Sequence, residues 1–237
     1  MRIRSSAGSD LPGRYTPTSK DGNAVVSEAD IHPMLVTAHD LDSKYAQHIR
    51  TIRSKIVQSQ AVGRSVSHYA LIGFDCPSEL SVLAANLGVV MARLETPTLL
   101  VDAARSNAMI HELMGVPNDV GVSNLDASVS LAEIAHPTVL DQLWLVPAGP
   151  QLNQGGQAFE KEALISRLER WNVPASSILI SVPIDEQSNQ SAVADMVSGV
   201  DGVVLFIRRH VTKIADIHVL IDLLDERDVP VIGTVIV

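Results

Sequence analysis

Short runs rich in Val, Ile and Leu alternate along this chain with longer segments whose apolar residues recur at helical spacing. The runs cover residues 68–74, 98–103, 143–149, 177–183, 202–208 and 230–237. Such runs are typical of strands that are buried on both faces of a parallel sheet, and the intervening segments are typical of the helices that cover it. Because crossovers between parallel strands are right-handed, we predict an α/β fold with a doubly wound, mainly parallel sheet and helices on both faces.

The chain length and the position of the periodic segments predict one folded domain. The 237 residues suffice for one sizeable core and are too few for two ordinary domains. Residues 1–40 are rich in Ser, Gly, Pro, Asp and Thr, so we expect a flexible N-terminal arm there and the domain at 41–237. Helices are predicted at 42–57, 78–94, 108–114, 159–171 and 212–228.

Composition excludes several classes of function. The net charge of −9 disfavours nucleic-acid binding, which needs cationic surface to neutralise phosphates. Cys76 is the single cysteine, which excludes a disulfide framework and fits a reducing cytoplasm; no metal-ligand spacing is found among His111, His136, His210 and His218. No apolar run reaches the roughly 18–20 residues of a membrane span. We expect a cytoplasmic protein without direct membrane insertion, peripheral to the inner membrane through a partner.

Seven segments carry a resemblance to a known family through their order and spacing. They are GFDCPSELS (73–81), AANLG (84–88), LLVDAA (99–104), HELMGVPNDVGVSNL (111–125), VPAGP (146–150), DGVVLFIRR (201–209) and VPVIGTVIV (229–237). In this arrangement the chain, from about residue 44 onward, resembles the cytoplasmic kinase domains of bacterial tyrosine kinases (BY-kinases). These accompany polysaccharide co-polymerases in capsule and exopolysaccharide export. More distantly it is similar to MinD- and ParA-type ATPases. The resemblance implies a P-loop NTPase-like fold.

The first loop departs from the phosphate-binding motif that the resemblance implies. A working P-loop, G-x-x-x-x-G-K-[ST], supplies free backbone N–H groups, a lysine for the β- and γ-phosphates and a hydroxyl for Mg²⁺. With AANL as the anchor, Leu80 stands at the lysine position and Glu79 at the preceding glycine. Gly73 and Ser81 remain as relicts of the site. The sequence therefore lacks the lysine on which phosphate binding depends.

The acidic positions of the family's site are also incomplete. Asp102 is kept at the end of the second strand, but Ala104 replaces the second aspartate of that motif. Ser181 stands where the resemblance implies the Walker-B aspartate, and Val237 where it implies an asparagine near the adenine. We therefore predict neither a nucleotide cofactor nor a bound metal.

The substitutions in the first loop are those of an ordinary helix start. Leu80 continues an apolar helical face that includes Leu83, Ala84, Leu87, Met91 and Leu94. Asp75 and Glu79 are expected to satisfy the free N–H groups and the dipole at the start of this helix. At an effective dielectric constant of ~20, each of these carboxylates would repel a phosphate at ~4 Å by about 4 kcal/mol.

Two further features concern assembly and phosphorylation. The segment QHIRTIR resembles the family's E-x-x-R-x-x-R helix, which implies self-association through Arg50 and Arg53, with Gln47 at the glutamate position. An arginine pair at this spacing is also typical of a solvated helix face. The family's C-terminal tyrosine cluster is missing, since the three tyrosines are Tyr15, Tyr45 and Tyr69.

Together these features predict a pseudokinase rather than an enzyme. We expect a regulatory or scaffold subunit of a bacterial machinery that synthesises and exports an exopolysaccharide, such as capsule or holdfast. The implied partner is the cytoplasmic tail of an inner-membrane polysaccharide co-polymerase. Two alternatives stay open: a weak ATPase or tyrosine kinase with a rebuilt nucleotide site, and a MinD/ParA-like positioning module.

Overall fold

A computed structural model describes residues 31–59, 65–125, 131–150, 164–170, 175–185 and 188–237. Their centre is a seven-stranded sheet in the order β3-β4-β2-β5-β1-β6-β7. Every neighbouring pair is parallel except β3 and β4. The strands are β1 Ser67–Phe74, β2 Thr98–Asp102, β3 His136–Pro137, β4 Leu143–Val146, β5 Ser177–Ile184, β6 Gly202–Ile207 and β7 Val231–Ile236. The prediction of a mainly parallel α/β sheet is confirmed, and β3, two residues long, was not predicted.

Helices cover both faces of the sheet, and each face has its own apolar core. Helices α1 to α4 pack in one core and α5 to α8 in the other. The helices are α1 Val36–His39, α2 Lys44–Gln58, α3 Pro77–Arg93, α4 Ile110–Met114, α5 Leu131–Ile134, α6 Leu164–Arg170, α7 Gln190–Met196 and α8 Ile214–Asp225. Strands β1 and β2 are fully buried between the two layers, as their unbroken apolar runs predict.

The predicted helices agree with the observed ones to within a few residues. Of the prediction for 159–171, residues 159–163 and 171 lie outside the described residues, and the remainder is α6. Helices α1, α5 and α7 were not predicted. Five of the six residues predicted on the buried face of α3 are buried, but Leu94 is 46% exposed because α3 ends at Arg93.

Residues 31–40 pack against the domain, although the prediction places them in the N-terminal arm; residues 1–30 of that arm lie outside the described residues. Leu35 is fully buried in the core that contains α3. The backbone N–H and the hydroxyl of Thr37 both donate to Oδ1 of the buried Asn86, over 2.9 Å each. Arg93 donates to the carbonyls of Thr37 and Ala38. Composition alone could not reveal this, because the segment attaches through a few specific contacts rather than through a periodic face.

The segments 111–125 and 146–150 form one close backbone junction. The N–H groups of Val122 and Ser123 donate to the carbonyls of Pro147 and Ala148, both over 2.8 Å. A Cβ atom on Gly121 would lie 2.1 Å from the Pro147 carbonyl oxygen, and one on Gly149, whose φ is 81°, would lie 2.3 Å from Ser123 Oγ. Both glycines are needed for this close approach.

The two edges of the sheet differ. The β3 edge is two residues long, contains Pro137 and runs antiparallel to its neighbour. The β7 edge is six residues long and uncharged, and its residue Ile236 is 69% exposed. Proline and shortness are ordinary means of blocking an edge strand, and they act here on one edge of the sheet.

Candidate ligand site at the carboxyl edge of the sheet

The sheet has a topological switch point between β1 and β5. From β1 the chain crosses through α3 to β2, whereas from β5 it crosses through α7, on the opposite face, to β6. In doubly wound sheets, ligands bind in the crevice outside the carboxyl ends of such strands. The β1–α3 connection and Asp102, the last residue of β2, lie at this edge of the sheet, and Ser181 lies within β5 opposite Asp102.

The connection from β1 to α3 is a two-residue turn rather than a phosphate-binding loop. Only Asp75 and Cys76 separate Phe74, the last residue of the strand, from Pro77, the first of the helix. The N–H of Leu80 donates to the carbonyl of Cys76 over 2.8 Å, so it takes part in the first turn of the helix. A P-loop instead leaves successive backbone N–H groups free to surround a phosphate.

The side chain of Leu80 fills the space next to Gly73. Leu80 is 1% exposed. A Cβ atom placed on Gly73 would lie 3.0 Å from Leu80 Cδ2 and 3.1 Å from Cys76 Sγ. Gly73 therefore permits close packing of α3 on the end of β1, and the position that would carry a lysine belongs to the apolar core.

Arg208 from the β6–α8 loop contacts both this turn and the first turn of α3. Glu79 Oε1 lies 3.6 Å from Arg208 Nη2, and Arg208 Nη1 donates to the backbone carbonyl of Asp75 over 3.1 Å. The cap residue of α3 is Cys76, whose side chain makes no capping hydrogen bond. Asp75 lies one residue earlier, with a left-handed φ of 55°. The predicted capping role of Asp75 is therefore wrong, whereas Glu79 does lie in the first turn.

Burial makes Cys76 a poor nucleophile. It is fully buried, and burial, with the nearby Glu79 and Asp75 carboxylates, raises the pKa of its thiol to about 12. A helix start lowers a thiol pKa when the thiolate can approach free N–H groups. At Cys76, desolvation raises the thiol pKa by more than the helix start lowers it.

Asp102 and Ser181 lie side by side on neighbouring strands, each with an unsatisfied oxygen. They are register partners of β2 and β5, 0% and 1% exposed. Asp102 Oδ1 accepts the N–H of Ala104 over 3.1 Å, but Asp102 Oδ2 and Ser181 Oγ have no hydrogen-bond partner among the described residues. Burial raises the pKa of Asp102 to about 6.

A cleft of about 290 Å³ lies among the segments that follow β2 and end β5 and the start of α3. Its positive charge comes from Arg105, and Asn107 holds a left-handed φ of 53°. The lining residues are Pro77, Arg105, Ser106, Asn107, Pro183, Ile184, Asp185 and Ser188. Sequence analysis did not select Arg105, although its position just beyond a strand that ends in aspartate is the signal that could have identified it.

These residues do not fit a magnesium–triphosphate group. The hydroxyl of Ser81 donates to the Pro77 carbonyl over 2.9 Å, Leu80 replaces the lysine, and Asp102 is fully buried. The first-turn amides are not presented in an open loop. Among the described residues no group of three or more His, Cys, Asp or Glu side chains is arranged to hold a metal ion, and none of their helices is long and apolar enough to cross a membrane.

The three predicted interface residues lie on α2 and make contacts within the chain. Arg50 Nη2 donates to the Leu41 carbonyl over 2.6 Å, and Gln47 Nε2 donates to the Asp42 carbonyl over 3.1 Å. Arg53 Nη2 lies 3.4 Å from Thr96 Oγ1, while its buried Nε has no hydrogen-bond partner in the part of the chain that the structure describes. Self-association through this helix stays a prediction.

Solved kinase domains of bacterial tyrosine kinases resemble the chain over most of its length. The kinase domain of the Escherichia coli tyrosine kinase ETK matches with a TM-score of 0.72 at 16% identity, covering 86% of this chain and 79% of that one. The chimerical protein CapA2B2 matches with a TM-score of 0.71 at 19% identity, covering 87% and 91%. The chain has the fold of these kinase domains.

The wider group of P-loop ATPases shares the same architecture. The septum site-determining protein MinD from Pyrococcus horikoshii, solved with Mg-ADP, matches with a TM-score of 0.59 at 16% identity over 72% of this chain and 70% of that one. No protein-family model and no curated protein sequence matches the chain. The P-loop NTPase-like fold is thus established by structure at identities where sequence comparison gives no match.

Proposed function

We propose that this protein is a pseudokinase, a BY-kinase-like domain that acts by binding partners rather than by using ATP. The observation that carries the proposal is the β1–α3 turn, in which two residues replace the phosphate-binding loop and the Leu80 side chain packs against Gly73. Electrostatic stabilisation of a transferring phosphoryl group needs cationic groups and aligned N–H donors at this place.

The proposed role is that of a regulatory or scaffold subunit in bacterial exopolysaccharide synthesis and export. The sequence resemblance to BY-kinases, which accompany polysaccharide co-polymerases, supports it, as does the kinase-domain fold. The cleft beside Arg105 is the proposed docking place for the cytoplasmic tail of an inner-membrane co-polymerase. It lies at the switch point of the sheet, where ligands of this architecture bind.

Calorimetric titration with ADP and ATP in the presence of Mg²⁺ tests the nucleotide part of the proposal. We expect no saturable heat at high-micromolar protein. Saturable binding would contradict the proposal and favour the alternative, a weak ATPase or kinase with a rebuilt site. Turnover that vanishes in Asp102→Ala would then assign the activity to this chain rather than to a contaminant.

Co-purification from the native host tests the scaffold part separately. We expect the tagged protein to retain an inner-membrane co-polymerase, and Arg105→Glu to lose it while the exposed surface variant Lys55→Glu keeps it. Deletion of the gene should change the amount or length of the exported polymer. Unchanged polymer together with no co-purified co-polymerase would contradict the scaffold role whatever the titration gives.

A further inference from the structure

We infer that β7 is a self-association edge, through which two copies of this chain pair antiparallel into one continuous sheet. The inference concerns the edge of the sheet opposite β3, away from the cleft, and it does not rest on the proposed function. Its basis is the hydrogen-bonding direction of β7, the absence of charge along it and the opposite charge of its two ends.

The outer side of β7 presents unused backbone hydrogen-bonding groups. Val237, just after the strand, donates its N–H to the Ile207 carbonyl and accepts the N–H of Arg209, both over 3.0 Å, so its backbone faces β6. Because backbone groups alternate in direction along a strand, the N–H and C=O of Thr234 and Ile236 face away from β6. No other strand of the described sheet lies on that side.

The residues of this edge are uncharged; Thr234 and Ile236 are exposed, and the other four are half-buried. From Pro230 to Val237 the sequence is PVIGTVIV. Ile236 is 69% exposed, and Ile214, at the start of the neighbouring α8, is 71% exposed. A long, uncharged, apolar edge is a template for another strand, and natural proteins leave one open mainly when it is paired.

The charges at the ends of β7 favour a second copy in antiparallel orientation. Arg209 and Lys213 lie near its carboxyl end, whereas Asp225, the last residue of α8, and Asp228, in the turn that follows, precede its amino end. No ion pair is recorded for these four residues within the described ranges. A two-fold axis through the middle of β7 places the basic end of one copy beside the acidic end of the other. Parallel pairing would bring like charges together.

The overall charge also favours contact at this edge. A molecule with a net charge of −9 repels its own copy over most of its surface, and this repulsion is smallest where an uncharged strip is presented. A six-residue strand is about 20 Å long. That length lies within the usual range for strands, so the paired edge can form a regular antiparallel ladder.

Sedimentation velocity and cysteine cross-linking test the proposed edge. We expect sedimentation velocity to show the wild-type chain passing from monomer to dimer as the protein concentration rises from about 1 to about 200 µM. This range covers dissociation constants typical of small interfaces. In the pairing centred on Thr234, opposed Cα atoms lie about 5.5 Å apart, which a disulfide can span. Thr234→Cys should therefore form an intersubunit disulfide on oxidation. Val139→Cys, next to the blocked β3 edge, is the matched control and should not.

Charge exchange provides a second test that leaves the strand unchanged. Arg209→Glu and Asp228→Lys should each weaken the dimer at least ~10-fold, because each homodimer then holds two like-charge pairs. An equimolar mixture of the two variants restores opposite charges at both ends and should recover the dimer. Circular dichroism and thermal melting confirm that each variant is folded.

Three results would overturn the inference. A wild-type chain that is monomeric throughout the concentration range would contradict self-association through β7, and would favour pairing of this edge with a strand of another protein. A Thr234→Cys variant that dimerises but forms no intersubunit disulfide would show that the contact is not at β7. A dimer that charge exchange leaves intact and that the double variant Arg50→Ala, Arg53→Ala abolishes would place self-association on α2 instead.

Discussion

At the position where a P-loop carries its lysine, Leu80 is 1% exposed and packs against Gly73. We expect Leu80→Lys to lower the free energy of unfolding by about 3 kcal/mol or more, because the new ammonium group would be buried without a partner. It should not create ADP binding, since the neighbouring N–H groups stay within the helix. Urea unfolding and calorimetric titration measure both effects.

The matched control for this change is Ser78→Lys. Ser78 lies in the same first turn of α3, and its side chain is exposed. Ser78→Lys adds the same charge to the same end of α3 and should change stability by less than about 1 kcal/mol. Wild-type stability in Leu80→Lys, or ADP binding by that variant, would show that the turn can open into a phosphate-binding loop.

Asp102 gives the protein a specific dependence of stability on pH. Its pKa in the folded state is raised by burial to about 6, above its usual 3.8. Between these two values the folded state binds more protons than the unfolded state, so this group's contribution to stability is complete below about pH 4 and is lost as the pH rises through 6. The loss is on the order of 3 kcal/mol.

Asp102→Asn removes this titration and keeps an oxygen that can accept the Ala104 N–H. Relative to wild type, the variant should gain about 3 kcal/mol between pH 4 and pH 7.5, as measured by denaturant unfolding at both values. The amide of the new asparagine changes stability by the same amount at both pH values. Its effect therefore cancels when the difference in stability between variant and wild type is compared at the two values. A difference that does not vary with pH would mean that Asp102 titrates normally in the folded protein.

At the scale of the elements, the junction between 111–125 and 146–150 depends on glycines in both segments. We expect Gly121→Ala to lower the free energy of unfolding by at least about 2 kcal/mol, because its Cβ would overlap the Pro147 carbonyl oxygen. Gly233→Ala is the control, since nothing lies within 4 Å of the added atom. Equal effects of the two changes in a chemical denaturation experiment would contradict this account.

The segment 31–40 attaches to α3 as an element of the domain. Removal of residues 1–40 would expose core around Leu35 and leave the buried Asn86 side chain without Thr37. We expect this truncation to lower the melting temperature by ~10 °C or more relative to a chain that begins at residue 31. Identical melting curves for the chains that begin at residues 31 and 41 would support the predicted domain boundary at residue 40.

The sequence predicts most of the elements and only part of the site. Long apolar runs identify six strands because both faces of a central strand are buried, and this signal is local. The two-residue β3, the seven-residue α7 and the attachment of 31–40 depend on contacts between distant residues, such as Thr37 with Asn86. Likewise the loss of the lysine can be read from Leu80, but the pairing of Arg208 with Glu79 cannot.

At the scale of the whole molecule, the chain combines a kinase-domain fold with a β1–α3 turn in which the buried Leu80 side chain packs against Gly73. We expect 1 mM Mg-ADP to shift the melting temperature by less than about 1 °C. A ligand present at 100 times its dissociation constant would add about 2.7 kcal/mol, or several degrees for a domain of this size. A shift of that size in a thermal melt would contradict the proposed pseudokinase.

Pro137 and the shortness of β3 have a consequence for how large an assembly this sheet can build. A sheet that is open at both edges can add copies without limit and grow into a fibre. With the β3 edge blocked, the proposed pairing at β7 would use the one open edge that the described part of the sheet offers in each copy. Growth by strand addition would then stop at two chains. The uncharged β7 strand would therefore give a dimer rather than an insoluble polymer.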